Sequence, residues 1–243
     1  MTKIPLEKMP LIDTPFERIA VDLVGPISPV TEKGNRYILT VVDYSTRYPE
    51  AIPLKSIEPE RVAEALVYIF SMMGIPKEIL SDMGTQFTSN VMKEVGRLLS
   101  FKQLVTTPYH PACNGLVEKF NGTLKSMLRK MCSERPKDWD RYLPALLFAY
   151  REVPQESTKF SPFELMFGRT VRGPMMVLKE LWTKEVQPEV KTSYQYVLDL
   201  KDRLSSTCEL VRNELQKSSD RYKKIYDRKT SNRSFKVGDY VLL

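Results

Sequence analysis

Along the first fifty residues, apolar side chains come in short β-branched runs. "ERIAVDLVGPI" and "RYILTVVDYST" flank the turn-rich connector "SPVTEKGN", and "YPEAIPLK" adds a third, shorter run. Three such runs in succession predict strands in an antiparallel meander. The period then lengthens. "EPERVAEALVYIFSMMG" places Val62, Ala65, Leu66 and Ile69 at helical spacing and stops at Gly74, with Pro76 beyond. From there strand and helix patterns alternate. "KEILSD" reads as a short buried strand, "SNVMKEVGRLLS" as a helix capped by Ser89 or Asn90, "FKQLVTTP" as a strand, and residues 114–130 as the next helix.

A meander followed by alternating elements implies an α/β (α+β) sandwich of roughly 150 residues, a mixed sheet flanked by helices. Further helices are expected at "WDRYLPALLFAYREV" and "SPFELMFG". Residues 1–15 carry Pro5, Pro10 and Pro15 and read as an extended lead-in, and 16–172 as the core. Residues 173–230 read as a helical connector. Its long helix, 192–226, sets Val197, Leu200, Leu204, Cys208, Val211 and Leu215 on one face, a packing surface for the core or a partner helix. "FKVGDYVLL" in 231–243 reads as the first strand of an incomplete β module.

Composition narrows the class. With 42% hydrophobic and 28% charged residues among 243, disorder throughout is excluded. The net charge of +7 is unevenly spread: Lys217–Lys236 holds eight basic residues against two Asp, and Lys119–Lys137 six against one Glu. Such clusters favour a polyanionic partner. His110 is the chain's 1 histidine, and Cys113, Cys132 and Cys208 are isolated, so a Cys/His zinc site is excluded. Unpaired cysteines suit a reducing compartment. No apolar stretch is long enough to cross a bilayer, and the first residues lack a signal-peptide core, so a soluble intracellular protein is expected.

Three acids stand where chemistry would use them. Asp22 interrupts a buried strand, where a carboxylate is costly unless paired or bound to a cation. Asp82 closes "EILSD", a strand end followed by the Gly-containing "MGTQ". Glu118 lies in the first turn of its helix, where the macrodipole stabilises an anion. Asn121, Lys125 and Arg129 follow it at i+3, i+7 and i+11, on or near the same face. Among 30 acidic residues some triple always arises, so the flanking segments carry the weight. Together they describe a carboxylate cluster beside a phosphate-binding surface. Asp43, in "VVDYSTRY", reads as a hydrogen-bonded structural carboxylate outside the site.

"AVDLVGP", "SDMGTQFTS" and "TPYHPACNGLVEKFNGTLKSML", with 35 residues between Asp82 and Glu118, closely resemble the catalytic core of retroviral-type integrases, specifically those of gypsy-type long-terminal-repeat retrotransposons. The resemblance runs from about Phe16 to Gly168, and "FKVGDYVLL" is similar to the opening strand of that family's C-terminal module. It implies an RNase H-like fold with a five-stranded sheet, and metal-dependent polynucleotidyl transfer that processes DNA 3′ ends and joins them to target DNA. Asp22, Asp82 and Glu118 carry over as catalytic acids and as ligands of two Mg²⁺ (or Mn²⁺) ions, Asp22 bridging both. Asn121, Lys125, Arg129 and His110 carry over as DNA contacts, although a structural His110 packed between Pro108 and Pro111 fits the loop as well. The implied partners are element ends and target DNA, with homo-oligomerisation and neither a membrane nor a small-molecule substrate. The implied location is nuclear after a cytoplasmic stage.

Departures are local. Ala112 and Cys113 in "HPACNG" replace the family's usual Gln and Thr, and Met83 stands where a basic or polar residue is common. The family's His/Cys zinc module is not represented in the sequence. An alternative therefore stands beside the integrase reading: a domesticated, integrase-derived protein that binds nucleic acid or protein without catalysis.

Overall fold

The computed structural model describes residues 12–105, 115–173 and 213–225. Five strands form one mixed sheet in the order β3-β2-β1-β4-β5: β1 (Arg18–Val24), β2 (Tyr37–Asp43), β3 (Pro49–Leu54), β4 (Glu78–Ser81) and β5 (Lys102–Val105). The first three make the expected antiparallel meander, whereas β4 lies parallel to β1 and β5 parallel to β4. This is the mixed sheet flanked by helices that the pattern implied, in the RNase H-like arrangement that the resemblance implied.

Strand alternation sorts side chains onto two cores. Ile19, Val21, Leu39 and Val41 face one side, where they pack with Val62, Leu66 and Ile69 of α1 (Pro59–Met73) and Met92 of α3 (Asn90–Leu99). Ala20, Val24, Ile38 and Val42 face the other, against Val117, Phe120 and Leu124 of α4 (Gly115–Met131) and Leu143 and Leu147 of α5 (Trp139–Glu152). Asp22 shares the parity of Ala20 and Val24, so the pleat aims it at α4. Burial of each such Ile, Leu or Phe contributes about 1.5–3 kcal/mol relative to exposure, which makes the two cores the main force fixing α4 over β1.

Local signals set the helix ends. Gly74 closes α1 at φ 94°, a conformation that disfavours any side chain, and its N–H reaches the Phe70 carbonyl at 2.9 Å. Ser89, rather than Asn90, caps α3 by accepting the Met92 N–H at 3.2 Å. The short α6 (Pro162–Phe167) starts on a capping box between Ser161 and Glu164. One element was not anticipated: α2 (Thr85–Thr88) follows Asp82 directly, and four residues are too few to show a period. Residues 213–225 are helical, within the expected long helix, and Leu215 packs against Leu165 and Phe160. The lead-in up to residue 11, most of the connector and the β module expected at 231–243 lie outside the described residues.

Candidate active site

The sheet register brings the first two acids together. Arg18, Ile19 and Ala20 of β1 pair with Glu78, Ile79 and Leu80 of β4. Carried two residues further, that parallel register sets Asp82 beside Asp22, and equal parity puts both on the α4 face. The packing of α4 on β1 then brings Glu118, exposed in the helix's first turn, to the same end of the sheet.

Electrostatics record this convergence. Burial pushes the Asp22 carboxyl above its ordinary value, and the neighbouring charges of Asp82 and Glu118 push it further in the same direction. The Leu23 N–H, donating to Oδ1 at 2.8 Å, and the Asn121 amide, donating to Oδ2 at 2.8 Å, act the other way without cancelling the rise. Asp82 Oδ1 accepts the Gly84 N–H at 2.9 Å. A Cβ on Gly84 would stand 2.9 Å from that same oxygen and would meet the Gln86 amide, so a side chain here would have to displace the ends of Asp82 and Gln86.

Asn121, expected as a DNA contact, faces the sheet beside Asp22. The same turn of α4 that buries Val117 and Phe120 also turns Asn121 inward, leaving it 5% exposed with its amide committed to Asp22. Its Oδ1 is buried without a hydrogen-bond partner among the described residues. Lys125 and Arg129 lie exposed farther along α4. His110, Ala112 and Cys113 lie outside the described residues. Asp43, at 0% exposure, accepts hydrogen bonds from the Phe16 N–H (3.1 Å), the Thr46 N–H (2.9 Å) and Thr46 Oγ1 (2.7 Å), which ties a turn to a strand end away from the site.

The sequence reading missed how near helix 213–225 comes to the head of α4. Lys119 shares a cleft with Glu156, Lys217 and Arg221, and Lys217 is paired with Glu214 at 2.8 Å. The basic run starting at Lys217 was the available signal. Its partner surface, formed by Lys119 and Glu156 far earlier in the chain, was not legible.

The three carboxylates supply hard oxygen donors of the kind that Mg²⁺ and Mn²⁺ take. Among the described residues, however, no three acidic, His or Cys groups are arranged to hold one metal ion. Asp82 accepts the Gly84 N–H and Asp22 accepts the Asn121 amide. The donor chemistry of these carboxylates is that of a divalent-cation site.

Residues 13–111 match the family described as Integrase core domain. Two solved structures share the fold. One is the simian T-cell lymphotropic virus intasome in complex with the PP2A regulatory subunit B56 gamma, with TM-score 0.59 and 20% identity over 79% of this chain and 63% of that one. The other is the HTLV-2 integrase catalytic core domain in complex with magnesium, in its trimeric form, with TM-score 0.53 and 19% identity over 63% of this chain and 97% of that one. The fold and the match define a retroviral-type integrase core. Among curated proteins, the Retrovirus-related Pol polyprotein from transposon 412 of Drosophila melanogaster is 30% identical over 97% of this chain and 19% of its own length. Gypsy retrotransposon integrase-like protein 1 of Mus musculus is 29% identical over 68% of this chain and 32% of its own length. The chain belongs with the integrase cores of gypsy-type retrotransposons, and it spans a fifth to a third of the length of these relatives.

Proposed function

We propose that this chain is the core of a retrotransposon integrase, a metal-dependent polynucleotidyl transferase that processes DNA 3′ ends and joins them to target DNA. The observation that supports the reading is that the β1–β4 register and the packing of α4 on β1 bring Asp22, Asp82 and Glu118 toward one end of the sheet. We assign these three as ligands of two Mg²⁺ or Mn²⁺ ions. Bound there, the ions would supply activation of the attacking hydroxyl and charge stabilisation at the leaving oxygen.

The chain's own residues do the rest. Asn121 holds the orientation of Asp22 through its amide. The Gly84 N–H fixes Asp82 on its loop, and Glu118 stands at the positive end of α4. Lys125 and Arg129 offer exposed cations for DNA phosphates. The apolar side chains exposed on and just after α1, Tyr68 (59%), Met72 (52%) and Ile75 (53%), support homo-oligomerisation. Among the described residues no helix is long and apolar enough to cross a membrane. The reading places the protein's work in the nucleus, after synthesis in the cytoplasm, and divides the chain into core 16–172, connector 173–230 and β module 231–243.

The test is strand transfer of a labelled oligonucleotide end in Mg²⁺ or Mn²⁺. Transfer by the wild type and its loss in Glu118→Gln, with DNA binding retained, is the expected result. Undiminished transfer by Glu118→Gln would remove Glu118 from the site. The second reading, nucleic-acid binding without catalysis, is supported by the exposed cations Lys125 and Arg129, which can engage phosphates without a metal ion. It predicts DNA binding with no transfer by the wild type in either metal.

A further inference from the structure

The residues just before β1 run beside the C-terminal end of α1. The Asp13 carbonyl accepts the Ser45 hydroxyl at 3.3 Å in the turn between β2 and β3, and the Phe16 ring meets Phe70 of α1 edge-on, with centroids 6.4 Å apart. The Glu17 carbonyl accepts the N–H groups of Lys77 and Glu78, at 2.9 and 3.0 Å, just past α1. The segment that precedes them therefore joins the core next to the end of that helix.

What α1 presents there is apolar and open. Met72 and Tyr68 are both exposed and are spaced by four, so they lie on one row of the helix. The row continues through Glu64 and Glu60, also exposed, and Ile75 stands open beyond the helix end. Two large apolar side chains are thus followed by two carboxylates.

Residues 3–11 carry the complementary order. Pro5 and Pro10 fix φ and favour an extended course, which lowers the entropy lost on docking. With three residues per turn in such a chain, Leu11 and Lys8 share one side, and Met9, Leu6 and Lys3 an adjacent one. Outward from the core, both sides run from apolar to basic; the third side holds Pro10, Glu7 and Ile4. Reach agrees as well. Met72 to Glu64 is about 12 Å along α1 at 1.5 Å per residue, and Ile12 to Lys8 is about 12 Å at 3.1 Å per residue of extended chain.

We propose that residues 3–11 strap the exposed face of α1, with Met9 and Leu11 against Met72 and Tyr68 and with Lys8 at Glu64. The strap covers the apolar side chains that self-association would bury, so a single chain caps its own interface and a second copy has to displace the cap. This competition rests on the self-association reading; the docking of the strap does not.

Trypsin reads the docking, because Lys8 is a cleavage site. The full chain is digested at a concentration where sedimentation shows it monomeric, and each rate is taken relative to the matching free peptide. The bond after Lys8 should be cut at least tenfold more slowly than in Tyr68→Ser/Met72→Ser, with the two thermal melts within a few degrees. Met9→Ser/Leu11→Ser, altered only in the lead-in, should lose the same protection. Equal relative rates in all three chains overturn the strap. Protection that appears only at concentrations where the chain dimerises overturns it too, since the occupant is then a second copy.

Sedimentation tests the competition. Met9→Ser/Leu11→Ser should dimerise at least tenfold more tightly than wild type, and adding Met72→Asp should return it to monomer. An unchanged dimerisation constant refutes the competition. Absence of dimers from every variant, alongside intact protection of Lys8 in the wild type, counts against the self-association reading alone.

Discussion

Asp22 shows how one residue's surroundings set both its cost and its use. Its proton affinity is raised by burial first and by Asp82 and Glu118 next, so the folded chain holds that proton more tightly than the unfolded chain does. The sign follows from linkage: charged Asp22 opposes folding at neutral pH, and the opposition fades as pH falls through its raised folded value toward the ordinary carboxylate value. Asp22→Asn should therefore raise the urea midpoint at pH 7, and the gain over wild type should shrink by pH 4. A lower midpoint at pH 7 would contradict the placement. The carboxylate's presence in an apolar strand was legible from the sequence, because the flanking Ala20, Val21, Leu23 and Val24 leave little else for that segment to be. The inward turn of Asn121 was not. Helical spacing put it near Glu118, but whether i+3 lies toward solvent or toward β1 depends on how α4 docks, which is a tertiary fact.

At the scale of elements, strands and longer helices followed the hydrophobic period closely, because each buries one face and the sheet's two sides demand strict alternation. The loop after β4 was legible only as a flexible Gly-containing stretch. It is instead a compact turn leading into α2, with Gly84 closed over Asp82. Gly84→Ala should displace the Asp82 carboxylate or the Gln86 amide. The expected outcome is at least a tenfold fall in transfer rate with a melting temperature within a few degrees of wild type; unchanged transfer would show that this loop does not position Asp82. The same element-scale reasoning explains Ser89, whose hydroxyl satisfies one of the orphan N–H groups that open α3.

Across the whole molecule, charge and architecture divide the labour. The sheet brings two acids to one end, α4 adds the third, and the cations of α4 continue away from them along its exposed side. DNA binding should accordingly be steeply salt-dependent, and Lys125→Ala should weaken it while lowering the magnitude of the log–log salt slope by about one. An unchanged slope would take Lys125 off the phosphate path. The approach of helix 213–225 to Lys119 was beyond sequence reading, since basic periodicity says that a helix has a charged face without saying what that face meets. The central claim is that Asp22, Asp82 and Glu118 form one divalent-metal site. Its most direct test is anomalous scattering from crystals of the chain soaked in Mn²⁺. The account predicts an anomalous peak within ligand distance of Asp22 and at least one of the other two carboxylates, at about 2 Å from oxygen, lost in Asp22→Asn. Manganese bound elsewhere, with these three acids unoccupied, would contradict it.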